Sequence, residues 1–317
     1  MPVTPTILFL DPTEPELWDR LSAHGYRCVD LRTAPAEEVF AALPQAYGVV
    51  IRSRFKVDRH FLDTASQLAF VARSGVGVEH IDLEYAAERG VTVYTSPEGS
   101  RDTVAEHTLG MLLMLLNNLA RADREVRAGQ WIRGGNRGYE LKGKTVGIIG
   151  YGNMGSAFAQ RLQGFGCTVM AYDKFKTGYG DAFAREVSLA TLQAEADIIS
   201  LHIPYLPENH HFVDAAFLAA CQQPIWLLNT ARGLVLNTSD LVAALHSGQV
   251  SGAALDVIEY EDLSFSHLDP LQQPVPFQQL LMLPNVVLTP HIAGWSYEAE
   301  AGHAQVLADK ILGRGVG

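Results

Sequence analysis

Short apolar runs and longer amphipathic stretches take turns along the first part of the chain: TILFL, EPELWDRLSAHG, YRCVD, APAEEVFAAL, YGVVI, VDRHFLDTASQ, LAFVARS, DLEYAAERG and VTVYTS. Near-continuous apolar runs rich in Val, Ile and aromatic residues predict strands buried on both faces, and the stretches between them carry apolar residues at helical spacing. Parallel strands need helical crossovers, almost always right-handed, so this region predicts a doubly wound sheet closing near Ser96 and Pro97.

The segment TVAEHTLGMLLMLLNNLARADREVRAG then runs without proline, and its first half is apolar on nearly every side. Such a helix must be buried. The expectation is that Leu112 to Leu119 contributes to an interdomain or dimer contact. After the loop WIRGGNRGYELKGK the alternation resumes with TVGIIG, TVMAYD, DIISLHIP, PIWLLNTARG, SGAALDV and NVVLTPH, a second doubly wound sheet starting near Lys144. The final SYEAEAGHAQVLADKILGRG predicts a helix that cannot bury its apolar stripe alone, so it is expected to return to the first domain. The predicted division is 1–98 plus 291–317 for one domain and 99–290 for the other.

Length agrees with two cores, since 317 residues exceed what one usually serves. An apolar content of 48% with 19% charged residues describes a chain that folds. The net charge of -11 argues against nucleic acid or an anionic membrane as partner, because both demand clustered Lys and Arg. Cys28, Cys167 and Cys221 are scattered and suggest neither a disulfide framework nor a zinc site. With no basic leader and no apolar run long enough to span a bilayer, a cytoplasmic protein is expected.

One stretch carries chemistry by its context. In TVGIIGYGNMG an apolar strand runs into Gly150, Gly152 and Gly155, and a helical segment and a second strand ending at Asp173 follow. The first glycine permits a tight turn, the second a close approach of backbone to pyrophosphate, and the third close helix packing. Amides around Asn153 and Met154 then face phosphate at the helix N-terminus. Asp173 would accept hydrogen bonds from the adenosine ribose and repel a 2'-phosphate, which favours NAD over NADP; Lys174 leaves room for dual use.

Ligands of doubly wound sheets bind beyond the carboxyl ends of strands. Polar residues stand there at His202, at Arg232 of LLNTARG, at Asp256, Glu259 and Glu261 of ALDVIEYE, and at His291 of LTPHIAGWS. Hydride transfer to a carbonyl calls for a cation and an acid working near neutrality. Arginine can grip a carboxylate with two prongs and lean on the adjacent carbonyl, selecting 2-keto or 2-hydroxy acids, and a glutamate beside a histidine favours its charged form. Arg232, Glu261 and His291 fit these three tasks.

These stretches, with RSRFKVDRHFLD, RSGVGVEHIDLEYAAERGVTV, TVAEHTLGMLL and LHIPYLPE, resemble the D-isomer-specific 2-hydroxyacid dehydrogenase family over nearly the whole length. The resemblance implies a flavodoxin-like substrate domain and a Rossmann NAD-binding domain, with the active site in the cleft between them; a homodimer is the expected assembly. It implies Arg232 for carboxylate and carbonyl, Glu261 as partner acid and His291 as proton donor or acceptor. Arg52, Ser53, Val76 and Gly77 would bind substrate, together with Arg232 and His291. Pro204, Thr230, Ala231, Arg232, Asp256 and His291 would join Gly150, Gly152, Asn153, Met154, Gly155 and Asp173 around the cofactor. Counting from Asp256 by the family's spacing selects Glu261, which leaves Glu259 a solvated or cofactor-side residue.

The chain departs from the family where Asp262 replaces a common proline and where LSFSHLDPLQQPVPFQQLL lengthens the path to His291, a loop expected to reshape the pocket. Glu261 argues against the formate dehydrogenase subgroup, which pairs its histidine with glutamine. His107 reads as a packing or helix-face residue, His202 as structural, and His210 and His211 as loop residues without metal-ligand spacing. Arg52, Arg54 and Arg101 are candidates for a substrate phosphate. An NAD(H)-sensing, corepressor-like protein is the alternative on this fold. A C-terminal regulatory domain is not expected, since the sequence ends soon after its last helix.

Overall fold

The computed structural model describes residues 4–261, 269 and 272–313, which form two compact units: Met1–Ser100 with Trp295–Gly317, and Arg101–Gly294. The sequence expectation set the boundaries at 98/99 and 290/291, so His291 falls on the other side of the second one.

In the first unit β1 (Thr6–Phe9), α1 (Pro15–Ala23), β2 (Arg27–Asp30), α2 (Ala36–Ala42), β3 (Ala46–Ile51), α3 (Arg59–Thr64), β4 (Phe70–Arg73), α4 (Leu83–Glu88) and β5 (Thr92–Tyr94) succeed one another. The strands pair in parallel in the order β2-β1-β3-β4-β5. This flavodoxin-like order reverses direction between β1 and β3. Alternation along β1 sends Ile7 and Phe9 to one core and Leu8 and Leu10 to the other. Asp58 and Asp82 accept from the amides of Phe61 and Tyr85, capping α3 and α4.

Helix α5 (Pro97–Leu116) carries the chain into the second unit, followed by α6 (Leu119–Arg127). The proline-free segment is therefore two helices, broken at Asn118, whose φ is +54°. Asparagine tolerates this left-handed conformation, which ends a helix as glycine would. Met111, Leu112, Leu115 and Leu116 are buried in the second unit's own core against Val146, Ile148 and Leu228 of its sheet, whereas Leu119 is exposed.

The second unit continues with β6 (Thr145–Ile149), α7 (Asn153–Arg161), β7 (Thr168–Tyr172), β8 (Arg185–Glu186), α8 (Leu189–Glu195), β9 (Ile198–Leu201), α9 (Ala215–Ala220), β10 (Ile225–Asn229), α10 (Thr238–Ser247), β11 (Val250–Leu255), α11 (Val275–Met282) and β12 (Val286–Leu288). All pair in parallel, in the order β12-β11-β10-β9-β6-β7-β8. Strand order reverses between β6 and β9, the position where such sheets take a dinucleotide. Part of the expected 262–284 loop is helix α11, with Phe277 and Leu280 in the core; residues 262–268, 270 and 271 lie outside the described residues.

Helix α12 (Tyr297–Ile311) belongs to the first unit, where Ala304, Leu307 and Ala308 pack on Ile7, Phe9, Leu17 and Leu21. Each fully buried large apolar side chain contributes about 1.5–3 kcal/mol relative to exposure. Among the described residues no helix is long and apolar enough to cross a membrane.

Candidate active site

In the first unit, Asp11 lies just past β1 and is buried. Its Oδ2 accepts from the amides of Arg52 (2.6 Å), Ser53 (3.2 Å) and Arg54 (3.3 Å) beyond β3. The carboxylate thus pins that loop at the topological switch point. Sequence reading missed Asp11, although a polar residue directly after TILFL was the signal. Arg52 Nη1 stands 3.5 Å from Glu300 Oε1, which also accepts from Trp295 Nε1 at 3.1 Å. Past β4, Val76 is exposed and Gly77 buried. The adjoining turn is tied to the interior: Ser96 Oγ accepts from the Gly75 amide and meets His303 Nδ1 at 2.9 Å, and burial pushes the His303 imidazole down to about 4.

The three candidate phosphate arginines have other engagements. Arg54 directs its guanidinium at the carbonyls of Leu10, Leu31, Arg32 and Ala34. Arg101 belongs to the second unit, 3.9 Å from Asp102.

In the second unit the glycine loop joins β6 to α7. Gly150 has φ +92°, and a Cβ there would meet the His202 carbonyl oxygen at 2.6 Å; a Cβ on Gly155 would lie 2.1 Å from the Gly150 oxygen. A Cβ on Gly152 would meet nothing within 4 Å, and Gly152 provides no side-chain cap for α7. Two glycines are therefore required by packing, and the middle one opens the helix N-terminus towards an anion. That arrangement fits a dinucleotide pyrophosphate. His202 is half-buried, its ring 2.8 Å from Ser200 Oγ, and desolvation pushes it down to about 3, so it is neutral at physiological pH.

Asp173 follows β7 and accepts from the amides of Tyr151 and Phe175, each at 2.9 Å. It lines a hollow of about 500 Å³ with Tyr172, Lys176, Tyr179 and Ser188. Lys174 sits over the Phe175 ring, whereas Lys176 donates to the Tyr151 carbonyl at 2.8 Å, so the lysine next to the glycine loop is Lys176. The buried Tyr151 phenol donates to Asp181, and burial together with that carboxylate holds it above its ordinary range.

The remaining candidates stand at the ends of four neighbouring strands, β9 to β12. Beyond β10, buried Asn229 braces the turn: its Oδ1 accepts from Ala231 N (3.1 Å) and its Nδ2 donates to the Arg232 carbonyl (3.0 Å). Thr230 Oγ1 meets Thr108 Oγ1 at 3.0 Å, and Pro204 is exposed, its carbonyl accepting from Asn209 Nδ2. Beyond β11 comes the loop Val257–Glu261, and beyond β12 comes His291. Glu261 Oε2 is 2.5 Å from His291 Nδ1, while Oε1 accepts from the Ile258 amide. An ionised carboxylate only accepts, so Nδ1 carries the hydrogen of this contact and Nε2 is the ring's other nitrogen.

His291 has φ +56°, an uncommon conformation for a residue with a side chain. Asp256, 1% exposed, holds it there. Its carbonyl accepts from His291 N (2.8 Å), Oδ1 accepts from Ile292 N and from Thr289 Oγ1, and Oδ2 accepts from Ala293 N (2.8 Å). Asp256 thus acts on the backbone around His291, beyond the cofactor-side position expected for it. His107 does more than pack: its Nε2 lies 3.2 Å from Thr289 Oγ1 and 3.6 Å from Asp256 Oδ1. Glu259 is shielded and hydrogen-bonded to His211, so of the two positions expected for it, solvated or cofactor-side, the solvated one does not hold. Among the described residues no group of three or more His, Cys, Asp or Glu could hold a metal ion.

A parallel sheet of this order, with a glycine loop at its switch point, defines the second unit as a dinucleotide-binding domain of the dehydrogenase class. Residues 109–293 match the family described as D-isomer specific 2-hydroxyacid dehydrogenase, NAD binding domain. The chain belongs to that family.

It is 33% identical to D-3-phosphoglycerate dehydrogenase of Archaeoglobus fulgidus over 96% of its length, spanning 56% of that protein. It is 34% identical to hydroxypyruvate reductase of Thermotoga maritima, over 87% of each chain. Among solved structures it resembles D-lactate dehydrogenase from Aquifex aeolicus complexed with NAD and lactic acid (TM-score 0.80, 27% identity, 97% of this chain and 94% of that one). It also resembles an NADPH-dependent glyoxylate/hydroxypyruvate reductase from Sinorhizobium meliloti in complex with NADP and malonate (TM-score 0.79, 29% identity, 98% and 93%).

Proposed function

We propose that the protein interconverts a D-2-hydroxy acid and its 2-keto acid with NAD, and that His291 is the acid and base. The observation that carries this reading is the 2.5 Å contact of His291 Nδ1 with Glu261, in the same unit and at the same strand-end edge of the sheet as Arg232, which follows β10. When bound, a nicotinamide would supply or accept the hydride. His291 Nε2 gives a proton to the developing alkoxide in reduction and takes the hydroxyl proton in oxidation. The Arg232 guanidinium binds the substrate carboxylate and polarises the carbonyl. Arg52, Ser53 and the backbone at Val76 and Gly77 are the substrate contacts proposed within the first unit. The glycine loop holds the pyrophosphate; Asp173 holds the adenosine ribose; Pro204, Thr230, Ala231 and Asp256 serve the nicotinamide side.

The substrate is unphosphorylated in this reading. Arg54 is committed to backbone carbonyls and Arg52 is offset by Glu300, which leaves this loop little charge for a phosphate. NADH oxidation with glyoxylate, hydroxypyruvate, pyruvate and 3-phosphohydroxypyruvate is expected to give a kcat/KM at least about tenfold higher for one of the first three, a difference of ~1.4 kcal/mol. A preference for the phosphorylated acid overturns this assignment, and turnover of none of the four overturns the catalytic reading. A nucleotide sensor is the less favoured function, since it has no need of a proton donor held in a left-handed backbone.

NAD is the cofactor proposed. Asp173→Ala is expected to weaken NAD binding about tenfold or more while changing NADP affinity much less, because charge-assisted hydrogen bonds to a ribose contribute about 1.5–3 kcal/mol each. Loss of the Asp173 contacts to Tyr151 and Phe175 disturbs both cofactors alike, so the ratio of affinities, measured by titration calorimetry, reads the ribose contact. Equal losses refute it. A homodimer in the cytoplasm remains the proposed state, with exposed Val126, Trp131 and Ile132 offered as its contact.

A further inference from the structure

Glu259 and His211 have no part in the reading above, yet they touch both elements that carry it. Glu259 stands two residues before Glu261 on the same loop. Its Oε1 lies 2.5 Å from His211 Nε2, and its Oε2 accepts a 2.8 Å hydrogen bond from the Thr238 amide. Thr238 is the first residue of α10, so the carboxylate also sits where helix N–H groups favour negative charge. The two side chains are shielded, His211 28% and Glu259 14% exposed.

His211 has φ +51°, a conformation that neighbours must hold in a residue with a side chain. Its N–H donates to the Leu234 carbonyl at 2.9 Å, and its ring stacks on His210 at 3.9 Å between centroids. Leu234 belongs to the tight turn Gly233–Val235 that directly follows Arg232. The backbone of His211 therefore grips the Arg232 turn while its ring grips the Glu261 loop through Glu259. In that loop the Ile258 amide donates to Glu261, whose other oxygen meets His291.

We propose that His211 and Glu259 form a positioning clamp that sets Arg232 and Glu261, and His291 through Glu261, in one fixed arrangement. The clamp acts through these residues, not on the reacting atoms, and the inference rests on the catalytic reading of Arg232, Glu261 and His291. An ionised carboxylate can accept from the imidazole and the Thr238 amide together. Glutamine of the same shape has one acceptor oxygen and turns an NH2 group towards one of the two donors. Small displacements in a reacting set cost up to about a hundredfold in rate.

Two variants of the full chain test the clamp: Glu259→Gln, and His211→Asn, which tolerates the left-handed backbone but is too short to reach Glu259. Each is expected to lower kcat about tenfold or more on the best 2-keto acid while NADH affinity stays within about twofold. The double variant is expected to be little worse than either single one, because both break the same link. The His291 imidazole resonances, followed by 15N NMR without substrate, are expected to shift in both. Wild-type kcat in both variants, or unmoved His291 resonances despite lowered thermal stability, overturns the clamp and leaves the pair a packing contact. Failure of the unaltered protein to turn over any 2-keto acid strikes the catalytic reading instead. The imidazole resonances still report on the clamp in that case.

Discussion

His291→Ala is expected to lower turnover by about a hundredfold or more, the usual scale of losing a positioned acid or base. NADH affinity is expected to change by less than about twofold, because the proposed dinucleotide contacts of the glycine loop and Asp173 lie at the ends of β6 and β7, separated from β12 by β11, β10 and β9. Steady-state kinetics with NADH and the preferred 2-keto acid, beside a fluorescence titration of NADH, separates the two effects. Turnover within about threefold of the unaltered protein ends the assignment of His291. The left-handed backbone adds a second readout. Alanine inherits the strain of φ +56°, whereas His291→Gly escapes it, so the glycine variant is expected to be more stable than the alanine variant by roughly 1 kcal/mol and equally inactive. Equal stability of the two variants means that this backbone carries no strain.

The sheets were legible because parallel strands buried on both faces leave near-continuous apolar runs, and TVMAYD and LLNTARG announce both a strand and the polar residue at its end. Two-residue β8 left no such run. The break between α5 and α6 was hidden because asparagine carries the left-handed conformation without a glycine to mark it. Helix α11 was read as loop because Pro274 and Pro276 look like breakers, yet proline is compatible with the first turn of a helix. Within the site, Arg232 and His291 stood out by residue type and strand-end position, and the family's spacing separated Glu261 from Glu259. Their supports did not. Asp11 reaches amides more than forty residues away, His211 meets Glu259 across 48 positions, and Asp256 closes on Ile292 across 36. Such pairs depend on which strands are neighbours, and a pattern read along one strand does not carry that information.

Gly233→Ala is expected to cost about a hundredfold in kcat, although the residue has no functional group. A Cβ at this position would lie 1.9 Å from the carbonyl oxygen of Ile258, 2.0 Å from its carbon and 2.6 Å from the Glu259 nitrogen. These are backbone atoms, so no side chain can rotate away, and the turn after Arg232 must part from the Val257–Glu261 loop by an ångström or more. The Ile258 amide that holds Glu261 Oε1 moves with it, and Arg232, Glu261 and His291 lose their common frame. Misplacement on that scale costs on the order of a hundredfold in rate, and the overpacking itself roughly 1–3 kcal/mol of stability. NADH binding should persist, since the close contacts of the glycine loop are with His202, Ile203 and Ile148. Gly134→Ala, where a Cβ meets nothing within 4 Å, supplies the control and is expected to leave kcat unchanged. If Gly233→Ala retains wild-type kcat at normal stability, the two loops are not coupled through this contact, and the arrangement of Arg232 against Glu261 must be set elsewhere.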